Sequence, residues 1–265
     1  MRRELREAQK ISVIIPSLRS PESLERCVES VVSTTSYPNY EIVIVQVGER
    51  DKVHEARADV RVLHLPDAAN ASAAKNYAVQ QTDSPWLLFL DAGVEPIEAD
   101  WVTIMAEHVQ RPEVGAVGAR LINPIGTIEH AGLVLGVNGI AQSAFHGFPA
   151  EHPGVNRQLR MVRNYSAVSG ACMLTRRDIF QQIGGFDETL SHEFAEIDLC
   201  LKMRRSGYLI VYAPFAKLYW KALAREKPDF SGEAIMRQRW SDVLEQDPYY
   251  NPNLARERAD FSVGK

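Results

Sequence analysis

The sequence predicts an α/β fold: a mixed, mainly parallel sheet flanked by helices, with an antiparallel portion in its second half. Apolar runs at Ile11–Pro16, Glu41–Val47, Arg61–Leu65 and Trp86–Asp91 alternate with helical stretches. These runs are apolar almost throughout, as strands covered on both faces are, which points to a parallel βαβα sheet. From about residue 113 the alternation gives way to glycine-rich sequence short of helix formers.

Ile11–Pro16 leads into Ser20-Pro21, a polar cap with proline at the first helical position. Leu24, Cys27, Val28, Val31 and Val32 then recur at three- and four-residue spacing and form one apolar helix face. Asn70–Gln81 is alanine-rich and helical, and the run from Trp86 ends in the carboxylate of Asp91. Further on, Val114–Ala119 and Val168–Leu174 read as strands, Ile128–Phe148 as antiparallel strands or a loop-rich lid, and Arg176–Gln182 as a short helix. Gly184-Gly185-Phe186-Asp187 is a tight turn, Glu196–Arg205 a helix that places Asp198 near its N-terminus, Leu209–Tyr212 a strand and Glu233–Leu244 a helix.

A chain of 265 residues with 45% apolar and 24% charged residues has the length and balance of a globular α/β domain. Its net charge of -4 offers nothing to a polyanion, so nucleic acid is not an expected partner. Cys27, Cys172 and Cys200 match neither a disulfide framework nor a metal motif, and MRRELREAQK has no apolar core of a leader, so a cytoplasmic location is expected. No apolar run reaches the roughly 20 residues of a spanning helix, which leaves only peripheral membrane association open. The sequons at Asn70 and Asn164 are read as chance matches. Neither a GxGxxG nor a GxxxxGK[ST] loop occurs, which removes dinucleotide and P-loop chemistry. His192-Glu193-Phe194-Ala195-Glu196 lacks the second histidine of a zinc-protease helix, and His130 and His146 read as structural. In an open parallel sheet ligands lie beyond the carboxyl ends of the strands, so Ser17–Arg19, Gln46–Glu49 and Asp91–Val94 should share one crevice.

An ordered set of short motifs runs nearly end to end. It comprises Val13-Ile14-Ile15-Pro16-Ser17, Asn70 to Asn76, Leu87-Leu88-Phe89-Leu90-Asp91, Val94-Glu95-Pro96 and Gly115-Ala116-Val117-Gly118 in the first part. His130-Ala131-Gly132, Arg163-Asn164-Tyr165-Ser166, Gly170-Ala171-Cys172-Met173, Gly184-Gly185-Phe186-Asp187 and Asp198-Leu199-Cys200-Leu201 follow. In this order they resemble family 2 glycosyltransferases of the GT-A fold, especially bacterial enzymes of surface-polysaccharide synthesis.

The resemblance implies one GT-A domain over residues 1–265: a nucleotide-sugar-binding half at 1–112, an acceptor and catalytic half at 113–245, and an irregular tail at 246–265. It implies a nucleotide-sugar donor, a glycan acceptor, and displacement at the anomeric carbon with inversion. Nucleotide-binding positions fall on Pro16, Ser17, Gln46, Lys75 and Asp91, with Gln46 standing where relatives carry an acidic residue. A glutamine still offers an amide oxygen to a base N–H, and a polar residue closing a strand is the plainer alternative. Gly170 and Ala171 would let the backbone approach the donor sugar or diphosphate, or would simply pack tightly. Glu196 takes the position of the family's base.

The divalent manganese or magnesium usual in the family has lost its ligands here. The Asp-x-Asp motif reads Asp91-Ala92-Gly93, and the late histidine stretch reads Tyr219-Trp220-Lys221-Ala222-Leu223. No metal-binding residue is assigned, and Lys221, with Lys217 or Arg225, is expected to meet the diphosphate charge unless it is a solvated surface lysine. Two functional readings follow. One is glycosyl transfer in polysaccharide biosynthesis, possible without a metal. The other is a non-catalytic sugar-binding or assembly module of a larger polysaccharide-synthesis protein, which the altered Gln46, Gly93, Glu196 and Trp220 would suit.

Overall fold

The computed structural model describes residues 3–48, 60–66, 69–222 and 230–264. The first half alternates strand and helix: β1 (Ile11–Pro16), α1 (Pro21–Thr34), β2 (Tyr40–Val47), β3 (Val60–Leu65), α2 (Ala71–Gln80), β4 (Trp86–Leu90), β5 (Val94–Pro96) and α3 (Trp101–Val109). The second half carries β6 (Val114–Ile122), β7 (Ile128–His130), β8 (Leu133–Leu135), β9 (Ala141–Ser143), β10 (Arg163–Tyr165), β11 (Cys172–Arg176), α4 (Arg177–Gln182), α5 (His192–Arg205), β12 (Leu209–Trp220) and α6 (Phe230–Glu245).

The main sheet runs β10-β12-β6-β11-β4-β1-β2-β3, with β5 on β12 and β7 on β6. β3, β2, β1 and β4 are mutually parallel, and β12 is parallel to β6. β11 is antiparallel to both β4 and β6, so β6 and β12 run in the direction of β4 and the sheet is mainly parallel. Side chains of β1 alternate between two cores. Ile11, Val13 and Ile15 face the layer of α1 and α3, whereas Ile14 faces the layer of α2, α5 and α6. The apolar stripe of α1 is buried at Leu24, Cys27, Val28 and Val31, and Ser20 caps the helix with proline following it. Asn70 caps α2 by accepting from the Ala73 amide at 2.9 Å.

Three local expectations are corrected. β11 covers Cys172–Arg176, because its pairing with β4 begins only at Cys172 opposite Leu90, so Val168–Ala171 lead into the strand. β12 does not stop at Tyr212: an irregularity between Ala213 and Lys217 re-registers it on β6, after which Leu218–Trp220 also pair with β5. α5 begins at His192, with the Ala195 amide bonding the Ser191 carbonyl at 2.9 Å. Asp198 therefore lies inside the helix and not in its first turn. Its carboxylate is fully buried and bonds Arg239 Nη1 at 2.7 Å, Trp240 Nε1 at 2.9 Å and Lys202 Nζ at 2.8 Å, tying α5 to α6.

The segment 246–264 has no helix or named strand, yet it is packed. Asp247 accepts from the Leu135 amide at 2.8 Å and the Ser166 hydroxyl at 2.6 Å, while Tyr250, Ala259 and Phe261 join Phe145 in a third core.

Removing the Asp198 carboxylate leaves two cations and an indole N–H without their buried acceptor. Asp198→Ala is expected to lower unfolding free energy by about 3 kcal/mol in urea titrations. A loss below about 0.5 kcal/mol would show that the α5–α6 junction does not depend on it.

Candidate active site

The carboxyl ends of β1 and β4 bring two polar centres close together. The first is Asp91, just past β4. Its Oδ1 accepts from the Gly93 amide at 2.8 Å and from the Trp220 indole at 3.2 Å, and it forms an ion pair with Arg19, whose Nε lies 2.6 Å away. Arg19 follows β1, Gly93 precedes β5 and Trp220 ends β12, so three segments converge on one carboxylate. The Arg19 side chain is 8% exposed. A Cβ added at Gly93 would stand 2.7 Å from Arg19 Cζ, so the guanidinium fills the space a side chain at position 93 would need.

Beside this junction lies a cleft of ≈ 340 Å³ bordered by Arg19, Ser23, Arg26, Gly93, Tyr219 and Lys221. Glu95 also borders it, 3.8 Å from Arg26 Nε. Arg19, Arg26 and Lys221 thus face Glu95 and the underlying Asp91, leaving the cleft wall positive on balance. Lys221 is exposed and its backbone amide bonds the Gly93 carbonyl at 3.3 Å.

The second centre is Glu196 on α5, only 4% exposed. Its Oε1 receives Lys75 Nζ at 3.0 Å and His192 Nε2 at 3.1 Å, and its Oε2 receives the Gly170 amide at 2.7 Å. Burial pushes this carboxyl up, but the His192 imidazole, the Lys75 ammonium and the Gly170 amide together outweigh it and hold the group below the ordinary carboxylate range. Lys75 arrives from α2, which is pinned by Asn76: its side chain bonds both the amide and the carbonyl of Phe186 in the Gly184–Asp187 turn. The Lys75 ammonium also lies 5.0 Å from the centroid of the Phe186 ring. The two centres are linked through backbone, since the Asp91 amide bonds the Ala171 carbonyl at 2.9 Å, one residue from the amide that holds Glu196.

Several expected site residues stand elsewhere than in the cleft. Lys75 is 2% exposed and committed to Glu196; the buried carboxylate captures it before any diphosphate can. Gly170 and Ala171 are buried and do not border the cleft. A Cβ on Gly170 would collide with the Glu196 carboxylate, so the missing side chain makes room for that group. Pro16, Ser17 and Gln46 lie at adjoining strand ends, with the Ser17 amide bonding the Val45 carbonyl at 2.9 Å, but Ser17 and Gln46 are each only 5% exposed. Glu49, Leu223 and Arg225 lie outside the described residues. His130 Nε2 accepts the Gly132 and Ser169 amides at 3.2 Å each and is structural. The sequence placed Arg19 in a crevice loop and His192 in a rejected metal-helix pattern, but it gave neither a role in the site. The available signals were a lone arginine directly after a strand, opposite a glycine in a carboxylate's place, and a histidine one helical turn before Glu196.

Comparison with known proteins follows the same lines. The family model described as "Glycosyl transferase family 2" matches residues 12–184. The chain is 39% identical over 269 residues to an uncharacterized protein of Sinorhizobium fredii, covering 95% of this chain and 30% of that protein. It is 31% identical over 276 residues to an O-antigen biosynthesis protein of Myxococcus xanthus, covering 99% of this chain and 22% of that one. The chain therefore spans less than a third of the length of these two relatives. Among solved structures it resembles GalNAc-T7 with UDP, GalNAc and Mn2+ at a TM-score of 0.70 and 17% identity, over 89% of this chain and 49% of that chain. It also resembles the mannosyltransferase PcManGT of Pyrobaculum calidifontis in complex with GDP-Man and Mn2+, at 0.57 and 15%, over 89% and 62%. At these identities the likeness is one of fold, that of the GT-A glycosyltransferases.

Lys75→Ala leaves Glu196 buried with fewer partners and is expected to cost about 3–5 kcal/mol at neutral pH. Because the Glu196 carboxyl is held below its ordinary value of 4.5, its stabilisation is present above that pH and is lost as pH falls through the lower folded-state value. The stability gap between wild type and Lys75→Ala should therefore narrow in acid, as followed by urea unfolding at stepped pH. A gap constant from neutral pH to pH about 3 would contradict the pairing.

Proposed function

From the premise that the chain belongs to glycosyl transferase family 2, we propose that it transfers a sugar from a nucleotide-sugar donor to a glycan acceptor, with inversion, in polysaccharide biosynthesis. The Glu196 carboxylate supports this reading most: it accepts from the Gly170 amide at 2.7 Å, and the next residue, Ala171, accepts from the Asp91 amide at the edge of the cleft. On this reading the donor's diphosphate occupies that cleft with Lys221 beside the phosphates, and the nucleotide extends from it toward the adjoining strand ends that carry Pro16, Ser17, Gln46 and Asp91. The Myxococcus relative's role in O-antigen biosynthesis supports a polysaccharide product. Residues 1–265 act as one GT-A unit, and the greater length of the relatives leaves room for other domains or proteins of a synthesis assembly as partners.

In the reaction the acceptor hydroxyl attacks the anomeric carbon from the face opposite the phosphate. The bond from that carbon to the phosphate oxygen breaks, its electron pair leaves with the nucleoside diphosphate, and the hydroxyl proton passes to Glu196. The partners that keep Glu196 ionised also weaken it as a base, so Lys75 and His192 set how readily it takes that proton. His192, with its side chain 38% exposed, forms the solvent-facing edge of this cluster.

No member of the usual metal-ligand set remains in place except Asp91, whose Oδ1 already takes two hydrogen bonds and the Arg19 ion pair, and the space beside position 93 is filled by Arg19. Among the described residues, no group of three or more histidine, cysteine or acidic side chains is arranged to hold an ion. The residues present do not fit a divalent cation, and transfer is proposed to proceed on protein charges alone. No described helix is long and apolar enough to cross a membrane.

Incubating the chain with a panel of UDP-, GDP- and dTDP-sugars and candidate glycan acceptors is expected to yield turnover with one donor. Glu196→Ala should lower kcat by about 10²–10⁴-fold while donor affinity stays within a few-fold. Binding without turnover by any acceptor, with Glu196→Ala indistinguishable, would favour a non-catalytic module instead.

A further inference from the structure

We propose that Arg19 is the resident cation of the diphosphate site, standing where a divalent ion would otherwise sit, so that a nucleoside diphosphate binds this chain in the absence of metal. The inference rests on reading the cleft as the donor site.

A side chain at position 93 and the Arg19 guanidinium in its present place compete for the same space. Any side chain at 93 must begin with a Cβ, and that atom would lie 2.7 Å from Arg19 Cζ and 2.9 Å from Nε and Nη1. Glycine is what admits the guanidinium. The neighbouring Asp91 is paired with Arg19, its Oδ1 2.6 Å from Nε, and this charge contact holds the guanidinium at the carboxylate. The Trp220 indole, at 3.2 Å from the same Oδ1, holds Asp91 in turn. An ion approaching Asp91 would meet a fixed positive charge. A phosphate approaching from the cleft would meet the same charge with the sign it needs.

The chemistry suits a diphosphate better than a neutral ligand. A guanidinium stays charged at all working pH and offers planar donors matched to phosphate oxygens. Arg26 and Lys221 border the same cleft, so two flexible cations flank a rigid one. The Arg19 side chain is 8% exposed, whereas that of Arg26 is 60% exposed, so little conformational entropy remains to be lost at Arg19 on binding. Asp91 and Trp220 act as positioning residues for it.

Calorimetric titration of the purified chain with UDP, GDP and dTDP, each in EDTA and again in excess manganese, tests this. One nucleotide is expected to bind with affinities agreeing within about twofold in the two buffers, and Arg19→Ala should weaken it by at least about tenfold. Trp220→Phe, which keeps the ring and removes the N–H, should weaken it less. Binding that disappears in EDTA and returns with manganese would overturn the inference while leaving the donor-site reading intact, and this result needs no variant to fold. Unchanged affinity in a folded Arg19→Ala would equally overturn it. Failure of all three nucleotides in both buffers would overturn the donor-site reading itself, and the inference with it.

Discussion

The carboxylate of Asp91 stands at the end of a strand buried on both faces, and the cleft is organised around it. Its position is set by β4 and by the amide bond to Ala171, so it has little freedom to seek other partners. Arg19, Gly93 and Trp220 come from three separate segments, and each is explicable only in terms of the other two. A larger residue at 93 would force the guanidinium to shift from its present place. Without the guanidinium, Asp91 would stand in a cleft with its charge met mainly by neutral donors. On the proposed reading, protein charge and not an ion completes the arrangement around Asp91.

Glu196 follows a similar logic one layer deeper. A carboxylate this buried is costly to ionise, and Lys75, His192 and the Gly170 amide offset that cost. The same contacts carry a chemical consequence for the proposed reaction: a carboxylate held by an ammonium is ionised at neutral pH but has less affinity for the proton it would take. Gly170 shows how local sequence serves this centre, because the room its missing Cβ leaves is occupied by the carboxylate and not by a ligand.

Much of the frame was legible in the sequence because it rests on local regularities. Strands covered on both faces are apolar throughout, and Ser20 and Asn70 mark helix starts by the hydrogen bonds they make. Where the regularity is weak, the reading slipped: Ser191 makes no side-chain cap, so α5 gave no local sign of starting at His192. The prolongation of β12 past Tyr212 depends on β5 and β6, which are distant in sequence. The site was harder still. Residues 75 and 196 are 121 positions apart, and nothing near Lys75 indicates that its charge is spent on Glu196. The missing metal ligands did imply a substitute cation. The altered stretch itself offers Lys221, whereas the cation paired with Asp91 is Arg19, in the loop after β1.

On the proposed reading, protein charge occupies the place of the ion. A crystal of the chain grown with a nucleoside diphosphate and manganese, measured at the manganese absorption edge, tests this most directly. The account predicts phosphate density against Arg19 and no anomalous peak at Asp91. A peak bridging Asp91 and the phosphates, with Arg19 swung out of the space above Gly93, would contradict it.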